Sequence, residues 1–509
     1  MKNIRTIYCI IATAFVILAQ SCDLDVVPTD QISSESLPNT DDGIVNVTNG
    51  NYALFKEVVE FNGIEDWTNN YVRQYFQMSD FAGDDIVCGQ VSTDPLYYSF
   101  TFTHSPSQGN ARYFWYVSYK IINGCNTVIE ITENMEDKDD LTLQLLGENY
   151  FLRAFSHFNL LKFYAKPYTQ GDPADNLGII IRGATTEESK KARASVGECY
   201  DFIIGDLETA ADLMNEERGK MFASREAAWA LLSRVYLYME NHEKSIEYAD
   251  KVINSGSFTL ETAASFPNLF ANATSQDETI FAIAFTPADN IGKGGSIGSM
   301  LYSDGNSGWG EEFASQSIRE LMDDHMEDIR WSYILPTYTA DSSAIAINNG
   351  IPIYYITKFS FQDGDPNLSS PIMFRLAEMY LNRAEANAKL GNESEALADV
   401  NEIRRNRGLE NALINSVPEA STILNVVLNE RRIELAFEGH RIFDILRNKQ
   451  DLHRNYWGYH LIGLKVNQID LSTQPSGYDN LIVKWDDPKI LYYIPVDEIL
   501  ANDLCIQNE

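Results

Sequence analysis

Residues 222–253 read FASREAAWALLSRVYLYMENHEKSIEYADKVI. The run from Ser224 to Met239 is rich in Ala, Leu and Tyr at helical spacing, and Lys244 to Ser255 repeats that spacing with an acidic outer face. The polar MENHEKSI from Met239 to Ile246 joins them, so the stretch predicts two antiparallel helices and a tight turn.

The same grammar returns at Leu390 to Leu397, LGNESEAL, after the apolar helix pattern Met373 to Leu390 and before Glu393 to Arg407. This is the tetratricopeptide pattern, in which small residues let paired helices approach and each pair buries its face by stacking on a neighbour. Further helices are predicted at Asp42 to Lys56, Tyr113 to Glu133, Leu141 to Ala165, Val196 to Met214 and Thr422 to Lys449. Ser195 with Glu198 forms a capping box, and Pro167 ends the helix before it. The units are not contiguous. Residues 57–110 and 257–371 are dense in Gly, Asn, Asp, Ser and aromatics, with strand-like runs at Tyr97 to Phe102, Thr279 to Phe285 and Ile353 to Phe361. The expected fold is mostly α: a tetratricopeptide-like helical-repeat scaffold, about 113–255 and 372–449, interrupted by large irregular loop and short-strand excursions. Loops of that length with that aromatic content point to function.

The chain of 509 residues carries 39 Lys and Arg against 73 Asp and Glu, a net charge of -34. Nucleic acid and anionic membrane surfaces are poor partners for such a surface. At the start, Lys2 and Arg5 precede an apolar run from Ile7 to Ala19 and the small-residue segment Ala19-Gln20-Ser21-Cys22. That is the pattern of a signal peptide over residues 1–21. Cys22 stands where a lipobox places its acylated cysteine, with Ala19 in place of the usual Leu. Residues 22–41 then read as an acidic, Ser- and Pro-bearing tether, and 42–509 as a single domain. Cys88, Cys125, Cys199 and Cys505 form no CxxC pair and read as small buried hydrophobes.

Catalytic motifs fail on context. Gly294 to Gly298 spells G-x-S-x-G, but the strand candidate before it ends at Phe285 and a Gly- and Ser-rich run follows, so a flexible loop is expected. His440, His453 and His460 lack ligand spacing, and no cofactor or transition metal is expected. Asp363-Gly364-Asp365 and Asp84-Asp85 could offer oxygens to a structural calcium. The informative residues are aromatic. Trp115, Trp229, Trp331 and Trp485 read as packing. Trp67 in GIEDWTNNY and Trp309 in YSDGNSGWG have small or polar neighbours that do not bury an indole. An exposed indole is a flat apolar platform for the C–H face of a sugar ring, and Asp, Asn and Arg bind the hydroxyls at its rim. The candidate ligand-binding set is Trp309, Trp67, Asp84, Asp85, Arg73, Asn306, Tyr71 and Tyr302.

The helical segments together resemble the SusD/RagB family of outer-membrane glycan-binding lipoproteins. The resemblance is carried in order by Cys22, GENYFLRAFSHFNLLKFYAKPY (147–168), ECYDFIIGDLETAADLM (198–214) and FASREAAWALLSRVYLYMEN (222–241). It continues with FRLAEMYLNRAEANAKLG (374–391), NEIRRNRG (401–408), ERRIELAFEGHRIFDILR (430–447) and YYIPVDEILANDLCIQN (492–508). In the last helix pattern, broken near Gly439, Arg431, Arg432, Arg441 and Arg447 are expected to pair with Glu430, Glu434, Glu438 and Asp444 at helical offsets. Asp328-Ile329-Arg330 departs from the family's Asp-Pro-Arg, which puts that turn in question. The resemblance implies four tetratricopeptide-like units and an excursion region that binds oligosaccharide without catalysis. It also implies a lipid-anchored, surface-exposed seat on a SusC-like TonB-dependent transporter in the outer membrane. The other class of function left open is a protein- or peptide-binding helical-repeat module.

Overall fold

The computed structural model describes residues 42–89, 97–348, 351–454 and 481–508. The signal segment, Cys22, the tether and His460 lie outside them. From Ile44 onward the chain forms one unit. Its main helices are α1 (Gly43–Ala53), α2 (Tyr71–Asp80), α3 (Gly109–Glu133), α4 (Asp140–Tyr164), α5 (Val196–Leu213), α6 (Arg225–Tyr238) and α7 (His242–Ile253). They continue with α8 (Gln316–Met322), α9 (Leu376–Leu390), α10 (Glu393–Asn406), α11 (Ile423–Glu434) and α12 (Arg441–Arg447). None is long and apolar enough to cross a membrane.

The hairpin of α6 and α7 forms as its spacing predicts. Ser224 caps α6 through the Ala227 N–H, and Ala227, Ala228 and Ala230 are fully buried where the helices approach. The closeness lets Ser233 and Ser245 each donate to the other's carbonyl at 3.0 Å. The second hairpin, α9 and α10, packs through Ala384, Ala388, Ala396 and Val400. It stacks directly on the first: Arg383 pairs with Asp250 at 2.6 Å, Arg234 with Glu378 at 2.6 Å, and Asn382 donates to Ser233 at 3.2 Å. Residues 254–371 therefore leave the helical stack and return to it. The capping box at Ser195 is present, with Ser195 and Glu198 each accepting the other's backbone N–H.

Short antiparallel ladders organise the excursions. β1 (Ile86–Cys88) pairs with β3 (Glu312–Ala314), β2 (Thr279–Ala282) with β8 (Ile372–Arg375), and β4 (Ile334–Pro336) with β7 (Tyr354–Ile356). β5 (Ile347–Asn348) pairs with β6 (Ile351–Pro352), and β9 (Leu452–Arg454) with β10 (Leu481–Val483). Two expectations change. Tyr97–Thr101 is a helical turn, because Phe100 stacks on Phe81 at 4.8 Å and Ser99 bonds the Tyr492 hydroxyl at 2.7 Å. Residues 373–375, expected as the start of a helix, belong to β8, which the fully buried IMFR sequence favours.

The segment 422–449 is two helices, broken where Phe437 and Gly439 adopt positive φ of 68° and 77°. At Gly439 an added Cβ would lie 2.7 Å from the Tyr75 ring, so both backbone sign and space require glycine. The break redirects the charges. Of the expected helical-offset pairs, Arg447 with Asp444 at 2.6 Å forms. Arg431 instead reaches Asp444 across the break, while Arg432 and Arg441 turn to Asp84 and Asp85. Glu430, Glu434 and Glu438 point into a buried cluster, opposite Arg330, Arg375, Arg404, Arg407 and Lys358. Asp328 and Glu278 complete it. Asp328 also caps the Arg330 N–H and grips its guanidinium, so the turn holds without the proline. Cys88, Cys125, Cys199 and Cys505 are all buried.

Candidate functional site

Gly292–Gly295 and Gly298–Leu301 are short helical turns, not the flexible loop expected. Ser296, the serine of the G-x-S-x-G match, closes the first turn by donating its N–H to the Gly292 carbonyl at 3.1 Å, and its hydroxyl oxygen accepts the Gly298 N–H at 3.1 Å. It occupies no strand-to-helix elbow. Trp67 and Trp309 meet around this first turn from two distant loops. A Cβ built on Gly294 would lie 3.9 Å from the Trp67 ring. Trp309 Nε1 donates to the Lys293 carbonyl at 2.9 Å, and the Lys293 ammonium lies 4.3 Å from the indole centroid. Both rings stay open to solvent, 68% and 52% exposed.

The support beneath them is rigid. Asn70 caps α2 through the Arg73 N–H and donates from its amide to the carbonyls of Trp67 and Gly295, each at 3.3 Å. Arg73, buried, donates Nη1 to the Gly294 carbonyl, so it positions the turn. On the other side, the N–H groups of Trp309 and Gly310 both reach the Ser299 carbonyl, and the chain runs into β3. Asn306 is exposed at the tip, and its carbonyl lies 3.5 Å from Lys293 Nζ. Hydrogen bonds from the Ser307 hydroxyl and N–H and the Asn306 N–H hold the exposed Asp304 carboxyl down at about 2. Asn367 anchors the tip through the Ser307 carbonyl at 2.6 Å. Tyr302, half-buried, meets Phe361 edge-on at 5.0 Å and Tyr355 at 5.5 Å.

Gly308 governs where Trp309 sits. A Cβ there would lie 1.9 Å from the Tyr302 carbonyl oxygen, a backbone atom that has no room to retreat. Gly308→Ala should therefore displace the indole and weaken any ligand stacked on it by about tenfold or more, since overpacking strain of roughly 1–3 kcal/mol must be relieved by the loop. Ligand titration checks the loss, and near-ultraviolet circular dichroism reports the tryptophan displacement.

Three members of the sequence-derived set are elsewhere. Tyr71 is fully buried in the core, its hydroxyl accepting from Asn159 at 2.8 Å. Asp84 and Asp85 are buried and paired with arginines of the helical frame: Arg441 with Asp84 at 2.6 Å and Arg432 with Asp85 at 2.7 Å. Burial raises the Asp85 carboxyl; at Asp84 the two guanidiniums outweigh burial and hold it at about 2. Their attraction to these arginines holds the excursion onto α11 and α12. Asp365, the other calcium candidate, bonds Asn290 and the Asn367 N–H. Among the described residues no three His, Cys, Asp or Glu converge as a metal site.

The structure adds residues that the sequence reading passed over: Lys293, Asp304 and Asp66. Asp66 lies beside Trp67 and its carboxylate accepts from the Thr68 N–H at 2.9 Å. The spacing of Lys293 from Trp309 gives no local signal, since the two are sixteen positions apart in the chain.

A family model described as "SusD family" matches residues 307–509, and one described as "Starch-binding associating with outer membrane" matches residues 59–237. Over these two stretches the chain matches models of the SusD family. SusD-like protein P2 of Formosa agariphila is 28% identical over 385 residues, 68% of this chain and 74% of that one. The starch-binding protein SusD of Bacteroides thetaiotaomicron is 22% identical over 88% of this chain and 87% of its own length. A crystal structure of a SusD superfamily protein from Bacteroides thetaiotaomicron superposes with a TM-score of 0.79 at 25% identity, covering 92% of this chain and 99% of that one. The mostly helical, tetratricopeptide-like scaffold is thus the SusD fold, and the two indoles stand on its excursions.

Proposed function

We propose that this chain captures oligo- or polysaccharide on the paired indoles Trp67 and Trp309 and passes it, unaltered, to a SusC-like TonB-dependent transporter in the outer membrane. The observation that carries this reading is the convergence of two solvent-facing indoles on one rigid turn. Sugar C–H faces stack on such rings, and Asn306, Lys293 and Asp304 stand at the rim for hydroxyls. The starch-binding relative and the outer-membrane description of the matched family model support the same direction. Acylation of Cys22, with residues 22–41 as tether, would hold the protein on the outer surface.

Binding without hydrolysis is part of the same proposal, and the Asp304 carboxyl supports it. Glycoside cleavage needs one carboxyl kept protonated as the acid. Asp304 is held ionised at about 2 by its loop, the opposite of that requirement.

Isothermal calorimetry against a panel of purified glycans tests the reading. Binding of at least one polysaccharide, with no reducing ends released, is the expected result. Failure of every glycan, with capture of peptides instead, would overturn it in favour of the helical-repeat interaction module.

A further inference from the structure

A hollow of about 420 Å³ opens beside the Trp67 loop, between that loop, α2 and the start of α3. Asp66 and Thr68, the neighbours of Trp67 in the chain, both line it. Its charged lining is already engaged. Asp66 accepts from Thr68, Arg73 donates to the Gly294 carbonyl, and Arg112 makes a two-bond pair with Asp497 at 2.6 and 2.8 Å.

Three neutral amide atoms on the lining side chains have no partner: Gln74 Oε1, Gln77 Oε1 and Asn110 Nδ2. Their side chains belong to residues that are 2%, 1% and 6% exposed. A buried polar group left unpaired costs about 1–3 kcal/mol, so each calls for a partner. The other ends of these amides set their orientation. Gln74 Nε2 donates to the Thr68 carbonyl at 2.7 Å, which leaves its oxygen unpaired. Asn110 Oδ1 accepts the Ala111 N–H at 2.9 Å, which leaves its NH₂. Gln77 Nε2 lies 3.0 Å from Met300 Sδ, again leaving the oxygen. The residues lining the hollow thus carry two unpaired acceptors and one unpaired donor, all uncharged and buried.

A sugar hydroxyl satisfies both kinds, because it donates and accepts. A carboxylate or sulfate oxygen only accepts; it would face the two glutamine oxygens with its own negative charge and lose its water. We infer that this hollow is a second subsite of the same glycan site, and that it selects an uncharged sugar unit over a uronic acid or a sulfated sugar. This rests on the indole platform being a glycan site.

The test is calorimetry on the wild type with two sets of polysaccharide: starch, galactomannan and mixed-linkage β-glucan against polygalacturonate, alginate and chondroitin sulfate. A neutral glycan should bind at least about fiftyfold more tightly than any acidic one. With that glycan, Gln74→Met and Gln77→Leu should each weaken binding by about tenfold, the loss of one hydrogen bond with a buried partner. Preferred binding of an acidic glycan, or unchanged affinity in both variants while Trp309→Ala loses binding, overturns the subsite and leaves the platform standing. Failure of all six polysaccharides overturns both. The wild-type comparison does not depend on how the variants fold.

Discussion

Glu434→Ala should destabilise the protein by about 3–5 kcal/mol, the cost of removing one partner from a buried ion cluster. Glu434 is fully buried and touches Arg330, Arg375 and Arg407 at 2.6 to 3.1 Å. Its removal leaves three guanidiniums facing one fewer carboxylate in a site that water does not reach. The cluster ties α11 to the entry of β2 through Glu278, to β8 through Arg375, and to the 328–333 turn through Arg330. Both the helical stack and the excursions lose an anchor together. Burial would raise the Glu434 carboxyl, but Arg407, Arg375 and Arg330 outweigh it and hold it well below the usual carboxylate range. A depressed carboxylate stabilises the fold fully above its unfolded value near 4.3, and that stabilisation is lost as pH falls toward the folded value. Urea unfolding at pH 7 checks the magnitude. An unchanged midpoint would mean that the cluster contributes nothing to holding the scaffold together.

Trp309→Ala should reduce glycan affinity by roughly 30-fold or more, because truncating a central aromatic anchor typically costs 2 kcal/mol or above. The change removes the stacking surface and also the Nε1 bond and cation contact that fix Lys293. Trp309→Phe separates the two effects. It keeps an apolar ring but loses the N–H, so its affinity should fall between wild type and the alanine variant. Calorimetry on both variants decides the matter; full affinity in Trp309→Ala would remove this indole from the site. Stability should change little, since the ring is half exposed.

The helical frame was legible because its signals are local. The cap at Ser195, the alanines of α6 and the polar turn at 239–246 each report on neighbours within a few residues. The exposure of Trp67 and Trp309 was also legible, from small and polar neighbours. The pairing of Asp84 and Asp85 with the helical frame is not legible in the sequence, for a physical reason. Their partners Arg432 and Arg441 lie more than 340 positions away, and an acidic pair on a loop looks solvated until the arginines are found. Helix α2 escaped for another. Every residue from Tyr71 to Asp80 is buried, so the segment has no polar face to reveal its period. Gln74 and Gln77, which line the hollow, went unseen with it.

A crystal structure with a bound oligosaccharide that calorimetry has shown to bind tests the central claim most directly. The expected density is a sugar ring against the open face of Trp309, with the chain running past Trp67. A ring seated instead in the hollow of about 370 Å³ lined by residues of 214–220 and 223–226, with both indoles bare, would contradict the assignment of the excursion turn as the glycan site.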